Sequence, residues 1–198
     1  QSRENAPWYQ HEELGYNYRM SNVIAGVVRG QFPYLEEHIA QKKAIYEGYK
    51  SGFKDLPVTM NPFDARHSEP NYWLLIDEDA MCKQVCGECD ALYISESGKS
   101  CPTEILEKLA QYNAEGRPVW KPMHMQPIYR MNGFVTREGN GRAKTNAYIS
   151  GSVRGKDGKP LDVGMDIFHR GLCLPSDNKM TVEQQEVVIE IVRRCFYR

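Results

Sequence analysis

The sequence predicts a mixed fold, α/β or α+β, with short strands flanked by helices. Segments of helical period alternate with short apolar runs bounded by turn formers, and no internal repeat is visible. The composition is that of an ordinary globule. Of 198 residues, 41% are hydrophobic and 26% charged, which suffices for one substantial domain or for a small one plus part of another.

The elements follow in chain order. Ser21 or Asn22 caps a helix through Arg29, because a short side-chain acceptor there meets backbone N–H groups that lack an intrahelical partner. The run "VIAGVV" gives this helix an apolar side expected to be buried. Gly30 and Pro33 punctuate, and a second helix runs over about 33–49. Its apolar face is Leu35, Ile39, Ala40, Ile45, Tyr46 and Tyr49, and its wet face is Glu36, Glu37, Gln41, Lys42 and Lys43.

Residues 51–70 are turn-rich, with a β-like "PVTM" at 57–60. "NYWLLID" at 71–77 reads as a buried strand, and a cysteine-bearing loop follows. "PTEILEKLAQYNAEG" at 102–116 is a helix by local rules: Pro102 stands early, Ile105, Leu106 and Leu109 make a stripe, and Gly116 is placed to cap the end. "RPVW" is the next strand, and "KPMHMQPIY" has too many prolines to be anything but a shaped loop. Residues 133–164 are rich in glycine, lysine and arginine and weakly patterned, which suggests a mobile or partner-facing insertion. "GLCLP" gives a last short strand. Thr181 opens the final helix with a Thr-x-x-Gln capping pattern, and Val187, Val188, Ile191, Val192, Cys195 and Phe196 form its buried face.

Charge narrows the function classes. With 25 basic residues against 26 acidic ones, the formal charge is −1. Nucleic acid and anionic membrane are therefore not expected as main partners, since both demand a basic excess or patch. "RRCFYR" reads instead as cations at a helix C-terminal end. No apolar run approaches the roughly 20 residues of a membrane span, and "QSRENAPWYQHEE" has no apolar signal core, so a cytoplasmic location is expected. The opening on Gln1, in a polar run leading into a dense motif, reads as the continuation of a longer protein.

Cys82, Cys86 and Cys89 have the C-x3-C-x2-C spacing of the cluster-binding loop of radical S-adenosylmethionine enzymes. Glu88 replaces the usual aromatic residue, however, and too little chain follows to build the barrel of those enzymes. Adding Cys101 gives a conceivable four-thiolate zinc set, without the paired C-x2-C knuckles such sites use. Free thiols, solvent-side or half-buried in a loop, are the expectation, with no metal. Among the histidines, His11 and His38 sit among charged residues and should be solvated, while His67 and His169 have no neighbours with a chemical logic. His124 differs. It lies between Pro122 and Pro127 with Lys121 and Gln126 beside it, where a structural and a proton-handling role are both open.

Three segments carry a resemblance. "HEELGYNYRMSNVIAGVVRGQ" (11–31), "RPVWKPMHMQPIY" (117–129) and "RGLCLPSDNKMT" (170–181) resemble, in that order, signature segments of the DegT/DnrJ/EryC1/StrS family of sugar-nucleotide aminotransferases. The Trp-Lys-Pro-Met-His form of the second is most similar to the branch acting on UDP-4-keto-6-deoxy-N-acetylhexosamines, the bacillosamine-type precursors of bacterial glycans. The resemblance implies the C-terminal part of a pyridoxal-phosphate-dependent transferase of the aspartate aminotransferase fold. Residues 1–31 would end the large cofactor-binding domain, and 32–198 would form the small domain.

It further implies that Asn17 reaches the cofactor phosphate of the neighbouring subunit in a two-fold homodimer with shared active sites. The family's Schiff-base lysine lies upstream of this segment, so the missing large domain would carry it and the chain alone should be inactive. The implied reaction takes an amino group, from glutamate, to a 4-keto sugar nucleotide for surface-polysaccharide or glycan synthesis. Arg19 would fix the loop or an anionic substrate group, with a structural salt bridge equally open; Trp120, Lys121, His124 and Gln126 would line the sugar pocket, with His124 hydrogen-bonding the sugar or polarising its ketone. Two other classes stay open on the residues alone: an orphan small domain acting as an interaction or dimerisation module, and a cysteine-ligated metal protein.

Overall fold

A computed structural model of the chain describes residues 16, 18–64, 66, 69, 71–86, 91–126, 133–136, 139–142, 156–159 and 162–197. The chain divides into two units, Gln1–Ile39 and Ala40–Arg198. In the first, Ser21 starts helix α1 (Asn22–Gln31) as expected, its hydroxyl accepting from the Ile24 N–H at 3.3 Å. A 3-10 turn (Phe32–Tyr34) leads into α2 (Leu35–Gly52). Contrary to expectation, α1 buries none of its residues, and Val23 is 77% exposed. Periodicity decides which side of a helix is apolar but not what covers it, and the described residues of this unit supply no cover. Leu35, assigned to the apolar face of α2, is exposed for the same reason.

The second unit is built on a four-stranded antiparallel sheet in the order β1-β2-β8-β5, comprising β1 (Val58–Met60), β2 (Trp73–Ile76), β5 (Arg117–Pro118) and β8 (Gly171–Cys173). Strand β8 is buried at all three positions, and Leu172 lies opposite both Leu74 and Pro118. The predicted "NYWLLID" strand is narrower and alternates. Leu74 and Ile76 are fully buried, whereas Trp73 and Leu75 are half-buried on the other side. "RPVW" pairs over two residues only, since Pro118 has no N–H to extend a ladder and is tolerated at an edge.

Helices α2, α3 (Pro102–Gln111) and α5 (Val182–Phe196) build the core with this sheet: Ile45 and Tyr49, Ile105 and Leu109, and Val188, Ile191, Val192 and Phe196 pack with Leu74, Ile76 and Leu172. Each such side chain contributes about 1.5–3 kcal/mol by burial. At Gly48 of α2 a Cβ would lie 2.6 Å from Gln185 Oε1, so glycine permits the close approach in which Gln185 Nε2 donates to the Ile45 carbonyl at 2.6 Å. The Thr181–Gln184 capping box forms as the sequence proposes, with bonds of 3.2 and 3.0 Å. Val187 is the exception on the expected face of α5, being 49% exposed. Arg193, in the last turn, donates to the Gly52 carbonyl and to both oxygens of Asp55, the latter at 2.6 and 2.7 Å.

Other expectations are corrected. α3 ends at Gln111, with Asn113 taking the left-handed φ of 55° while the Ala114 N–H bonds back to the Leu109 carbonyl at 3.0 Å. Gly116 therefore caps nothing; a Cβ there would meet Leu106 Cδ2 at 2.7 Å, so it serves close packing. The cysteine-bearing loop contains a hairpin, β3 (Lys83–Cys86) with β4 (Ala91–Ile94), because Gln84 and Val85 pair with Tyr93 and Leu92. Cys82 and Cys101 are not half-exposed thiols but buried ones, drawn in by the bridge between Met81 and Ser100. Cys89 lies outside the described residues. The proposed insertion at 133–164 holds the hairpin β6 (Gly133–Thr136) with β7 (Gly139–Arg142), and its last residues open an unpredicted helix, α4 (Val163–Arg170). Among the described residues no helix is long and apolar enough to cross a membrane, and no group of His, Cys, Asp and Glu is arranged to hold a metal.

Candidate functional site

The site forms where the proline-rich loop after β5 meets α4. Pro118 ends the ladder and Pro122 starts a 3-10 turn (Met123–Met125), its carbonyl accepting from the Met125 N–H at 2.9 Å. The Gln126 N–H bonds to the Met123 carbonyl at 3.1 Å, and the Gln126 amide group donates to the Lys121 carbonyl at 3.2 Å. Gln126 thus staples the loop from inside. Met125, 1% exposed, anchors it against Met165 of α4, with Phe168 packed alongside. Trp120 and Met123 are left outside at 75% and 64% exposure. A Cβ at Gly164 would lie 3.2 Å from Pro122 Cγ, so glycine there lets the first turn of α4 approach the loop without displacing the Pro122 ring by a few tenths of an ångström.

This packing brings His124 to Asp162 across 38 residues of sequence, with Nε2 and Oδ2 2.6 Å apart. The His124 side chain is 14% exposed and that of Asp162 35%, so the pair is largely shielded from solvent. The second oxygen of Asp162, Oδ1, caps α4 by accepting from the Met165 N–H at 2.9 Å. One turn on, Asp166 points inward and is 5% exposed. It accepts two bonds from Arg170, 2.9 Å from Nε and 2.6 Å from Nη2, and Arg170 also donates to the Ile76 carbonyl. The bidentate pair, internal to α4, holds the Arg170 guanidinium in place, and its bond to the Ile76 carbonyl fastens α4 to strand β2.

His169, which sequence left without partners, is buried beside these charges. Burial, foremost, pushes its imidazole below the usual value, against the opposing pull of Asp166. Gln84 donates to the His169 carbonyl at 3.2 Å and accepts from the Thr103 hydroxyl at 2.8 Å, tying α4, β3 and α3 together.

Of the residues expected to form a site, Trp120, Lys121, His124 and Gln126 lie on one loop. Gln126 turns to the loop's own backbone, and Trp120 is exposed rather than walled in. Arg19 belongs to the first unit and is exposed, with Tyr16 and Tyr18 near it stacked at 5.4 Å. Asn17 lies outside the described residues. Asp162 was not foreseen. Its helix-capping role was legible, since an aspartate stands directly before "VGMDIFHR", but its pairing with His124 has no local signal.

Comparisons with known proteins bear on this arrangement. The model of the DegT/DnrJ/EryC1/StrS aminotransferase family matches residues 1–148. The chain is 32% identical over 197 residues to "Putative pyridoxal phosphate-dependent aminotransferase EpsN" of Bacillus subtilis (strain 168), and it spans 41% of that relative's length. It is 28% identical over 122 residues, 61% of this chain and 28% of the relative, to the GDP-perosamine synthase of Escherichia coli O157:H7. Among solved structures, a DegT DnrJ EryC1 StrS aminotransferase from Brucella abortus aligns with 98% of this chain and 40% of its own at a TM-score of 0.61 and 16% identity. PseC of Helicobacter pylori, an aminotransferase involved in the biosynthesis of pseudoaminic acid, aligns with 98% of this chain and 41% of its own at 0.58 and 15%. At such identities these structures establish the fold.

Proposed function

Because the chain belongs to the DegT/DnrJ/EryC1/StrS aminotransferase family, we propose that it is the C-terminal portion of a pyridoxal-phosphate-dependent enzyme that moves an amino group, from glutamate, to a 4-keto sugar nucleotide. The observation that carries the sugar side of this reading is the His124–Asp162 pair, held at 2.6 Å on a rigid loop that also presents Lys121 and Trp120. Such a loop suits a nucleotide sugar. His124 hydrogen-bonds the sugar, the exposed Trp120 ring offers an apolar face, and the Lys121 ammonium meets the diphosphate as a point charge. Substrates of the bacillosamine-precursor type are the proposed class, in bacterial glycan or surface-polysaccharide synthesis.

The exposed tyrosines and Arg19 of the first segment are hydroxyl and guanidinium donors on a surface, a set that fits an anionic group. Asn17 would hold the phosphate of the cofactor in a neighbouring subunit of a homodimer, its amide donating without a titratable charge. Pyridoxal phosphate, when bound, supplies the electron sink and carries the amino group; the lysine that serves it would come from a large domain preceding residue 1. Division between residues 31 and 32 into large-domain end and small domain, and a cytoplasmic location, complete the proposal.

The test is His124→Ala in an enzyme of full family length. Amination of the sugar nucleotide should fall while the cofactor's absorbance stays intact; unchanged amination would remove His124 from the site. The 198-residue chain mixed with pyridoxal phosphate should leave the cofactor's spectrum unaltered.

A further inference from the structure

We infer that the outer face of α3 and α5 is an interface at which two copies of this chain pair about a two-fold axis, with each α5 antiparallel to the other. Val187 marks the place. It belongs to the apolar side of α5, yet it is half-exposed, because α3 stops at Gln111 and the chain turns away at Asn113. Between the two helices lies a hollow of about 680 Å³, which continues past the end of α3 into a second of about 700 Å³. Tyr112 and Val187 line both. Both are exposed, and aromatic residues are enriched where interfaces form.

Charge identifies the occupant. The end of α3 lies beside the start of α5, so the first hollow has an acidic and a basic end. Glu183 and Glu186 stand in the first turns of α5; Arg194 stands in its last turn, with Lys108 of α3 nearby. The Glu190 carboxylate accepts from Arg194 Nε at 2.8 Å and holds the guanidinium there, and with Lys108 that end stays net positive. A uniformly basic or uniformly acidic partner would meet like charge at one end. A surface with the same charges in reverse order complements both ends, and a two-fold rotation of this face supplies it. Glu183 and Glu186 then meet Lys108 and Arg194 of the second copy, and the converse, on either side of Val187. The net charge of −1 sets up no long-range repulsion between copies. At about 1.5 Å per residue, the 15 residues of α5 extend about 22 Å, and two helices side by side span about 20 Å. Pairing thus covers about 900 Å² in total, which is small for a specific complex, so the dimer is weak and salt-sensitive. This face lies in the second unit and is separate from the first-segment residues proposed above to serve a neighbouring subunit.

Charge reversal tests the pairing without cofactor or substrate, so the result is independent of the amino-transfer reading. Sedimentation equilibrium of the 198-residue chain should show a reversible dimer that dissociates as salt is raised. One variant reverses the acidic end, Glu183→Lys with Glu186→Lys; a second reverses the basic end, Lys108→Glu with Arg194→Glu. Each alone should raise the dimer Kd by about 10-fold or more, since like charges then meet at both ends of the pair. Mixed one to one, the two variants should associate as tightly as the parent, because each carries the charges that the other needs. Circular dichroism of each variant checks the fold; should Glu183→Lys disturb the first turn of α5, Glu186→Lys alone carries the test. A chain that stays monomeric up to about 1 mM overturns the inference and leaves the hollow to a partner other than a second copy. A dimer that neither reversal weakens is held by another face, and a mixture no tighter than its separate components shows that the two ends do not meet. Either result overturns the inference.

Discussion

Replacing Arg170 by methionine should be among the most damaging changes to the second unit, and its cost can be worked from the geometry. The substitution deletes the two bonds that Arg170 gives the Asp166 carboxylate, at 2.9 and 2.6 Å, and the bond to the Ile76 carbonyl, while leaving a carboxylate that is 5% exposed. Bonds to charged groups contribute about 1.5–3 kcal/mol each, which places the loss of the pair at roughly 3–6 kcal/mol. The upper part of that range is not reached, because protonating a carboxyl group of ordinary acidity at pH 7 costs about 4 kcal/mol and offers a way out. A loss of about 3–4 kcal/mol follows, in line with the cost of breaking a buried ion pair from one side. Urea unfolding of this chain, followed by tryptophan fluorescence and circular dichroism, measures it. The double variant Asp166→Leu with Arg170→Met removes charge and counter-charge together and should regain most of the loss. A single variant less than about 1 kcal/mol below the parent, or a double variant no better than the single, would refute the claim that loss of the Arg170 bonds to a buried carboxylate sets the cost.

Three further outcomes are expected. Leu74→Ala should destabilise by about 2–5 kcal/mol in the same assay, since Leu74 is fully buried at the centre of β2, opposite Leu172. The Arg193 guanidinium bonded to Asp55 holds that carboxyl down, from 3.8 to about 2. A folded-state value below the unfolded one contributes stability that is present above about pH 4 and is lost as the pH falls toward 2; unfolding midpoints of Asp55→Asn should lose less over that window than those of the parent. His169 is held below its usual 6.5, chiefly by burial. The folded chain therefore binds this proton less readily than the unfolded one, and stability should be full above pH 6.5 and decline as the pH drops below it. In His169→Gln that decline should be absent, and an identical slope in both proteins would assign it to other groups.

Legibility followed the range of the interactions. Ser21, Pro102 and the Thr181–Gln184 box announce helices because each acts within one turn of its own position. The proline spacing around His124 likewise announced a rigid loop, and the three ordered segments announced the family. The hairpin of β3 and β4 was misread as a loop because the run at 87–90 between its strands has the composition of an irregular segment. Helix α4 was missed behind a glycine-rich stretch. Within the candidate site, Trp120, Lys121, His124 and Gln126 could be named in advance because they are neighbours in sequence. Asp162 could not, since a single acidic residue looks the same whether it faces water or a histidine 38 positions away.

The sequence by itself determined the mixed helix-and-strand class, most helix starts, the loop that carries His124 and the family resemblance, all of which depend on local spacing or on ordered motifs. Tertiary structure alone decided that the three-residue "GLC" strand is central and wholly buried, that Cys82 and Cys101 are interior thiols, and that the apolar side of α1 stays uncovered within its own unit. It also decided that Asp162 divides its two oxygens between a helix end and His124. The physical reason is common to all of these. Burial and hydrogen-bond pairing across many residues are properties of packed surfaces, and a one-dimensional pattern records what a side chain can offer but not which surface will meet it.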